Sequence, residues 1–152
     1  MIWNESIETM PLEDLKNIQS ERLAQLSKYV YENCPVYKQK FDTHGITPSD
    51  IQSIDDIVKL PFTNKMDMRD NYPFGLFSVP RTDLVEIHVS SGTTGNPTLV
   101  GYTRDDISLW SEVMARSLCC AGAEPDDTSR SLMDMGSLQA DWASITALWK
   151  WA

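Results

Sequence analysis

Ser90-Ser91-Gly92-Thr93-Thr94-Gly95-Asn96-Pro97-Thr98 decides how the rest of the chain reads. Before it runs the β-branched segment Leu84-Val85-Glu86-Ile87-His88-Val89, and after it Leu99-Val100-Gly101-Tyr102. This order predicts a strand, a loop of small hydroxyl and glycine residues, and a second strand. Gly92 and Gly95 let backbone N–H groups turn inward and approach a ligand where a Cβ would intrude. Ser90, Ser91, Thr93 and Thr94 add hydroxyls that donate to phosphate oxygens. The loop is not of Walker A type, because the glycine spacing differs and no Gly-Lys-Ser/Thr follows. By composition alone it also fits a solvated turn between strands.

Downstream of the loop, Thr103 is placed to cap a helix over 104–121, with Asp105 and Asp106 in the first turn where acids complement the helix dipole. Ile107, Trp110, Met114, Leu118 and Ala121 form its expected buried stripe, and Gly122 and Pro125 end it. Upstream, apolar residues Leu12, Leu15, Ile18, Leu23, Leu26 and Val30 predict a helix over 11–33, broken at Asn33-Cys34-Pro35. A shorter helix over 36–43 should stop at Gly45. Ser49-Asp50 then reads as the cap of a short helix holding Ile51, Ile54, Ile57 and Val58. Leu60-Pro61-Phe62-Thr63 reads as extended, and Thr63 or Asn64 as the cap of a helix carrying Lys65 and Arg69. Those two cations make either a basic spot or, more simply, a solvated face. Tyr29, Tyr31, Tyr37 and Phe41 read as core rather than as a ligand pocket. His88 has no evident base or carboxylate to orient it and is assigned to packing or loop support.

The totals bound the function classes. The 152 residues carry 13 basic and 22 acidic side chains, a net charge of −9, which disfavours nucleic acid as a partner. An apolar content of 41% with 23% charged residues fits a globular chain rather than a disordered one. No apolar run reaches the roughly 18 residues of a membrane span, and Met1-Ile2-Trp3-Asn4-Glu5 lacks the order of a secretion signal. Cys34, Cys119 and Cys120 have no metal-like spacing, and the adjacent pair reads as packing. Neither a catalytic triad nor a metal set can be built from two histidines in this arrangement. The expected setting is the cytoplasm, with no membrane or nucleic-acid partner.

Taken together, the nine loop residues resemble the phosphate-binding loop of the AMP-forming acyl-CoA synthetases: a hydroxyl-rich run, Gly-Thr-Thr-Gly, any residue, then Pro. Leu60-Pro61-Phe62-Thr63, Arg69-Asp70-Asn71-Tyr72-Pro73-Phe74-Gly75 and Val100-Gly101-Tyr102-Thr103, at these distances, are similar to phenylacetate–CoA ligases in particular. Two positions depart. The broader superfamily often ends the loop in Pro-Lys where Thr98 follows Pro97 here, and these ligases commonly carry Lys where Asn96 stands. The resemblance implies an α/β fold, the incomplete N-terminal part of the large domain of an adenylate-forming ligase over 1–127, with the mobile C-terminal lid domain absent. It implies that Ser90, Ser91, Gly92, Thr93, Thr94, Gly95, Asn96, Pro97 and Thr98 hold the ATP phosphates, while no catalytic or metal-binding residue falls within the chain. The implied co-substrates are ATP with Mg²⁺ and coenzyme A, and the implied substrate is phenylacetate or a similar small carboxylate, activated through an acyl-adenylate. The fragment alone is expected to be inactive. Two alternatives stay open: a ligase of another aryl or acyl acid, and a non-catalytic anion-binding or interaction module. Exposed apolar surface suggests self-association in either case.

The resemblance stops near Thr128, where tryptophan and methionine crowd the sequence: Trp142, Trp149 and Trp151 fall in the last stretch with Met133 and Met135 before them. A shifted reading frame explains this. Reading each triplet from the third base of one codon through the second base of the next, Met133-Asp134, Met135-Gly136 and Trp142-Ala143 each force Gly. Asp134-Met135 allows only Tyr or His. With permitted codons, residues 129–147 become Gln-Val-Ser-Tyr-Gly-Tyr-Gly-Leu-Phe-Thr-Gly-Gly-Leu-Gly-Ile-His-Tyr-Gly, which resembles the tract with which the ligases continue. On this expectation 128–152 is a frame-shifted tail without a selected fold.

Overall fold

The computed structural model describes residues 1–90, 97–124 and 127. In these residues the chain is helical with one two-stranded sheet: α1 (Glu5–Glu8), α2 (Leu12–Asn33), α3 (Pro35–Thr43), α4 (Lys65–Asp70), β1 (Leu84–Val89), β2 (Leu99–Thr103) and α5 (Arg104–Cys120). Short 3₁₀ turns occupy Pro48–Asp50, Ile54–Lys59 and Arg81–Asp83. β1 and β2 pair with each other, and the connection between them is too short for a parallel crossover. The chain divides into two compact units. One gathers Pro11–Asp83 with the described residues of Val89–Gly101, and the other gathers Met1–Met10, Leu84–His88 and the described residues from Tyr102 onward.

In the first of these units α2 is the backbone of the packing, since α3 and the first two 3₁₀ turns all lie against it. Its inner line differs from the expected stripe. Ser27 is 2% exposed and Cys34, just past the helix, 1%, whereas Leu12 and Leu26 are 67% and 56% exposed. Small side chains sit where the backbones approach and the larger Leu15, Ile18 and Leu23 flank them at half burial. Phe41 and Ile51 complete this core. Ser20 joins the layers: its Oγ accepts from the Ile54 N–H at 3.0 Å while donating to the Lys16 carbonyl at 2.7 Å. Ser49-Asp50 does not cap a helix as expected. Thr47 and Ser53 do, each three residues ahead of an aspartate (Asp50, Asp56) that closes a capping box. Asn64 caps α4, accepting from the Met66 N–H at 2.8 Å and the Asp67 N–H at 3.3 Å. Lys40 of α3 then pairs with Asp67 at 2.8 Å and donates to the Phe62 carbonyl at 2.9 Å; with Lys40 as the main cause, the Asp67 carboxyl is held below its usual range. On the same α4, Lys65 is exposed and Arg69 half-buried. Of the aromatic run only Phe41 is buried. Tyr29, Tyr31 and Tyr37 stay nearer the surface, with their hydroxyls bonded to the Ser78 carbonyl, Asp42 and Thr63.

α3 and α5 end alike. Gly45 (φ 66°) and Gly122 (φ 96°) take left-handed angles that suit glycine. The following amides reach back, Ile46 N–H to the Phe41 carbonyl at 3.1 Å and Ala123 N–H to the Leu118 carbonyl at 3.0 Å. Ala121 is therefore outside the buried face of α5, whose centre is Ser111, Ala115 and Cys119. Cys120 is exposed. Among the described residues no helix is long and apolar enough to cross a membrane.

Candidate anion-binding loop

The strands deliver the two ends of the loop, and only its ends are described. Ser90, Pro97 and Thr98 have defined positions, while Ser91, Gly92, Thr93, Thr94, Gly95 and Asn96 lie outside the described residues. At the neck the Ser90 N–H donates to the Thr98 carbonyl at 3.0 Å, continuing the strand pairing by one rung. The Thr98 N–H donates to Ser90 Oγ at 3.2 Å, and the two hydroxyl oxygens lie 2.5 Å apart.

β1 alternates in burial, with Leu84, Glu86 and His88 half-buried and Val85, Ile87 and Val89 exposed. His88 Nε2 bonds to the Glu86 carboxylate two residues earlier on the same face. The histidine therefore does have an orienting carboxylate, contrary to the reading from sequence. The period of two along a strand would have revealed it. The His88 ring meets Tyr102 edge-on at 5.1 Å between centroids and Trp110 at 5.9 Å, and Tyr102 stacks on Trp110 at 5.1 Å. Burial, aided by the Glu86 and Asp106 charges, raises the Tyr102 phenol above its ordinary value. This cluster packs α5 on the strands, in agreement with the packing role expected of His88.

α5 starts directly after β2. Thr103 Oγ1 accepts from the Asp106 N–H at 3.2 Å, and the Asp106 carboxylate accepts from the Thr103 N–H at 2.8 Å. Farther along, Glu112 accepts from Trp3 Nε1 at 2.8 Å and Asn4 Nδ2 at 3.0 Å, and so fixes the N-terminal segment to the helix. These donors, Asn4 first, hold the Glu112 carboxyl below its ordinary 4.5. Sequence reasoning did not single out Glu112, which looks like any solvated helical acid. Among the described residues no three His, Cys, Asp or Glu stand together as a metal site.

Known proteins place this arrangement. The phenylacetate–coenzyme A ligase of Thermus thermophilus is 49% identical over 125 residues, and that of Escherichia coli is 50% identical over 121. Over these residues the chain matches the phenylacetate–CoA ligases as a fragment. These matches cover 82% and 80% of the chain, yet the chain spans only 28% of the length of either relative. A solved 2-hydroxyisobutyryl-CoA ligase, in an open conformation with 2-HIB-AMP and CoA, superposes with a TM-score of 0.86 at 27% identity. That superposition covers 96% of the chain and 35% of the ligase. No family model matches the chain. The fold is thus an incomplete α/β portion of an adenylate-forming CoA ligase, as expected from the loop and its flanks.

Proposed function

We propose that this chain carries the ATP-phosphate loop of an AMP-forming phenylacetate–CoA ligase and that Ser90 to Thr98 hold the β- and γ-phosphates. The observation that supports it most is the roughly half-identical sequence shared with two enzymes named for that activity. In the reaction so assigned, the phenylacetate carboxylate attacks the α-phosphate of ATP, giving phenylacetyl-adenylate and pyrophosphate. The coenzyme A thiol then displaces AMP and forms the thioester. The loop's part is to position the polyphosphate and to stabilise the departing pyrophosphate with oriented donors. Mg²⁺ held mainly by the nucleotide's own phosphates would supply further neutralising charge, and needs few protein ligands.

The catalytic lysine and the adenine and acid pockets belong, on this reading, to the part of the ligase with no counterpart here. Residues 1–127 are then the ligase-derived portion and 128–152 the frame-shifted tail. The matched lengths of 125 and 121 residues support that boundary. The likeness to a 2-hydroxyisobutyryl-CoA ligase supports a second reading, in which the acid is another small carboxylate.

The test is a titration of the purified chain with inorganic pyrophosphate and Mg·ATP, alongside a ligase assay with phenylacetate and coenzyme A. Pyrophosphate binding that is lost in Gly92→Val and tightened in Asn96→Lys, without turnover, is the expected result. Turnover above a protein-free blank would overturn the fragment reading, and an Asn96→Lys variant that binds no better would remove the phosphates from this loop.

A further inference from the structure

On β1 the Glu86 and His88 side chains bond to each other, and the His88 ring packs on Tyr102 and Trp110. These contacts fix which way the strand turns, and they leave Val85 and Ile87 outward at 53% and 47% exposure. A strand with one wet face carries polar residues there, whereas β-branched aliphatics on that side suit a strand covered on both faces. The same compact unit also exposes Met1 and Ile2 at the start of the chain and Leu109 and Val113 on α5. Leu109 and Val113 lie one turn apart, on the side of α5 away from the buried Ser111 and Ala115. The unit is thus apolar on more than one side.

The extent of this surface decides what covers it. A stable interface takes about 800 Å² from each partner, far more than the narrow strip on β1 offers. A second copy meeting that strip face to face leaves the α5 row in water, whereas a longer chain can reach both. The solved 2-hydroxyisobutyryl-CoA ligase supplies the frame. It follows the backbone of 96% of this chain with a TM-score of 0.86, yet the chain takes up only 35% of that ligase. The fragment therefore already has the backbone on which a much larger ligase is built, and docking need not reshape it. We propose that the outward face of β1, at Val85 and Ile87, is a docking surface for the part of a phenylacetate–CoA ligase that has no counterpart in this chain, so that the two pieces assemble without a covalent link. The proposal rests on the ligase reading above.

The experiment co-expresses the full 152-residue chain with the remainder of the Escherichia coli ligase, from the end of its matched segment to its C-terminus. Size-exclusion chromatography reads assembly, dissociation on dilution reads affinity, and thioester formation from phenylacetate, ATP and coenzyme A reads activity. A one-to-one complex is the expected result. Ile87→Val should weaken it about fourfold, the worth of one buried methylene. Val85→Asp/Ile87→Asp should weaken it at least about 100-fold, through lost burial and a carboxylate left without a partner. Ile87→Val keeps the β-branched shape, so it decides the matter where the charged variant fails to fold. A remainder that elutes alone, or that precipitates beside the chain, overturns the proposal, because it has found no partner there. A complex whose affinity Ile87→Val leaves unchanged overturns it as well, since the contact then lies elsewhere. Chain copies that stay paired with each other do the same in favour of the second copy. None of these three results touches the phosphate-loop reading, which its own pyrophosphate titration tests. A complex with the graded losses but no thioester leaves the docking surface standing and removes the activity assigned to the assembled ligase.

Discussion

Replacing Glu112 by Ala should destabilise the unit containing α5 by about 2–3 kcal/mol, a large effect for a helical acid with only moderate burial. The carboxylate accepts at 2.8 Å from Trp3 Nε1 and at 3.0 Å from Asn4 Nδ2. Bonds to a charged partner are worth about 1.5–3 kcal/mol each, and the 23% exposure of the Glu112 side chain argues for the lower end of that range. Arg116, whose Nε lies 3.3 Å away, adds little because the pair is near the surface. Glu112→Gln keeps one acceptor oxygen and should lose about half as much. The pH dependence has a definite sign. The folded-state carboxyl titrates below its ordinary 4.5, so its stabilisation is fully present above that pH and is lost as pH falls from 4.5 through the lowered folded value. The difference in stability between parent and Glu112→Gln should therefore shrink on acidification below 4.5. The assay is urea unfolding followed by far-UV circular dichroism at neutral and acid pH, with Asn4→Ala and the double variant completing a cycle. A Glu112→Ala change within about 0.5 kcal/mol of the parent, or one that adds fully to Asn4→Ala, would refute the anchoring role.

Thr103→Ala should cost about 1 kcal/mol of helix stability and Asp106→Ala a similar amount, with less than additive loss in the pair because each closes the other's bonds; thermal unfolding by circular dichroism checks it. Sedimentation velocity over a range of concentrations should show association, and a sharp monomer at every concentration would contradict the exposed strand face. Sequencing the locus tests the tail: the shifted frame through the codons of 129–147 should stay open and continue with ligase-like sequence, whereas an early stop codon in that frame removes the idea.

Three helices were legible in the sequence to within a residue or two at their ends, and α2 and α5 also for most of their inner face, where Leu15, Ile18, Leu23, Ile107, Trp110, Met114 and Leu118 are half-buried. The spacing of leucines located α2, and Thr103 with Gly122 bracketed α5. Counting large apolar residues then put Leu12, Leu26 and Ala121 on the inside, where the structure has Ser27, Ser111, Ala115 and Cys119. Close backbone approach selects small side chains at the centre of a contact and places large ones beside it, so hydrophobicity alone assigns such a face poorly. The short 3₁₀ turns were misread because Pro48 and the run Ile54-Asp55-Asp56 have no helical period. Their caps, Thr47 and Ser53, each followed after three residues by Asp, carried the usable signal. α1 was not foreseen, because four residues are too few to show a period. The loop was the reverse case. Its composition and spacing named a chemistry, while the described geometry reaches only its neck.

β1 shows best why the chain reads as part of something larger. An isolated two-stranded sheet with one covered face should direct its aliphatic residues inward and its polar ones to water. Here Glu86 and His88 are turned toward Tyr102 and Trp110, while Val85, Ile87 and Val89 stand outward at 53%, 47% and 56% exposure. Three β-branched side chains on one strand face are a favourable surface only when something covers them, since each gains stability by leaving water. The inward polar pair is satisfied by its own bond, and His88 packs on the Tyr102 and Trp110 rings, contacts that turning the strand over would lose. A strand apolar on the outside and still anchored on the inside has the pattern of one buried on both faces. The relatives, of whose length the chain spans 28%, have ample further chain to provide such a cover. For this chain by itself, the nearest apolar surface of the same shape is the β1 face of a second copy, which is the physical basis for expecting association in solution.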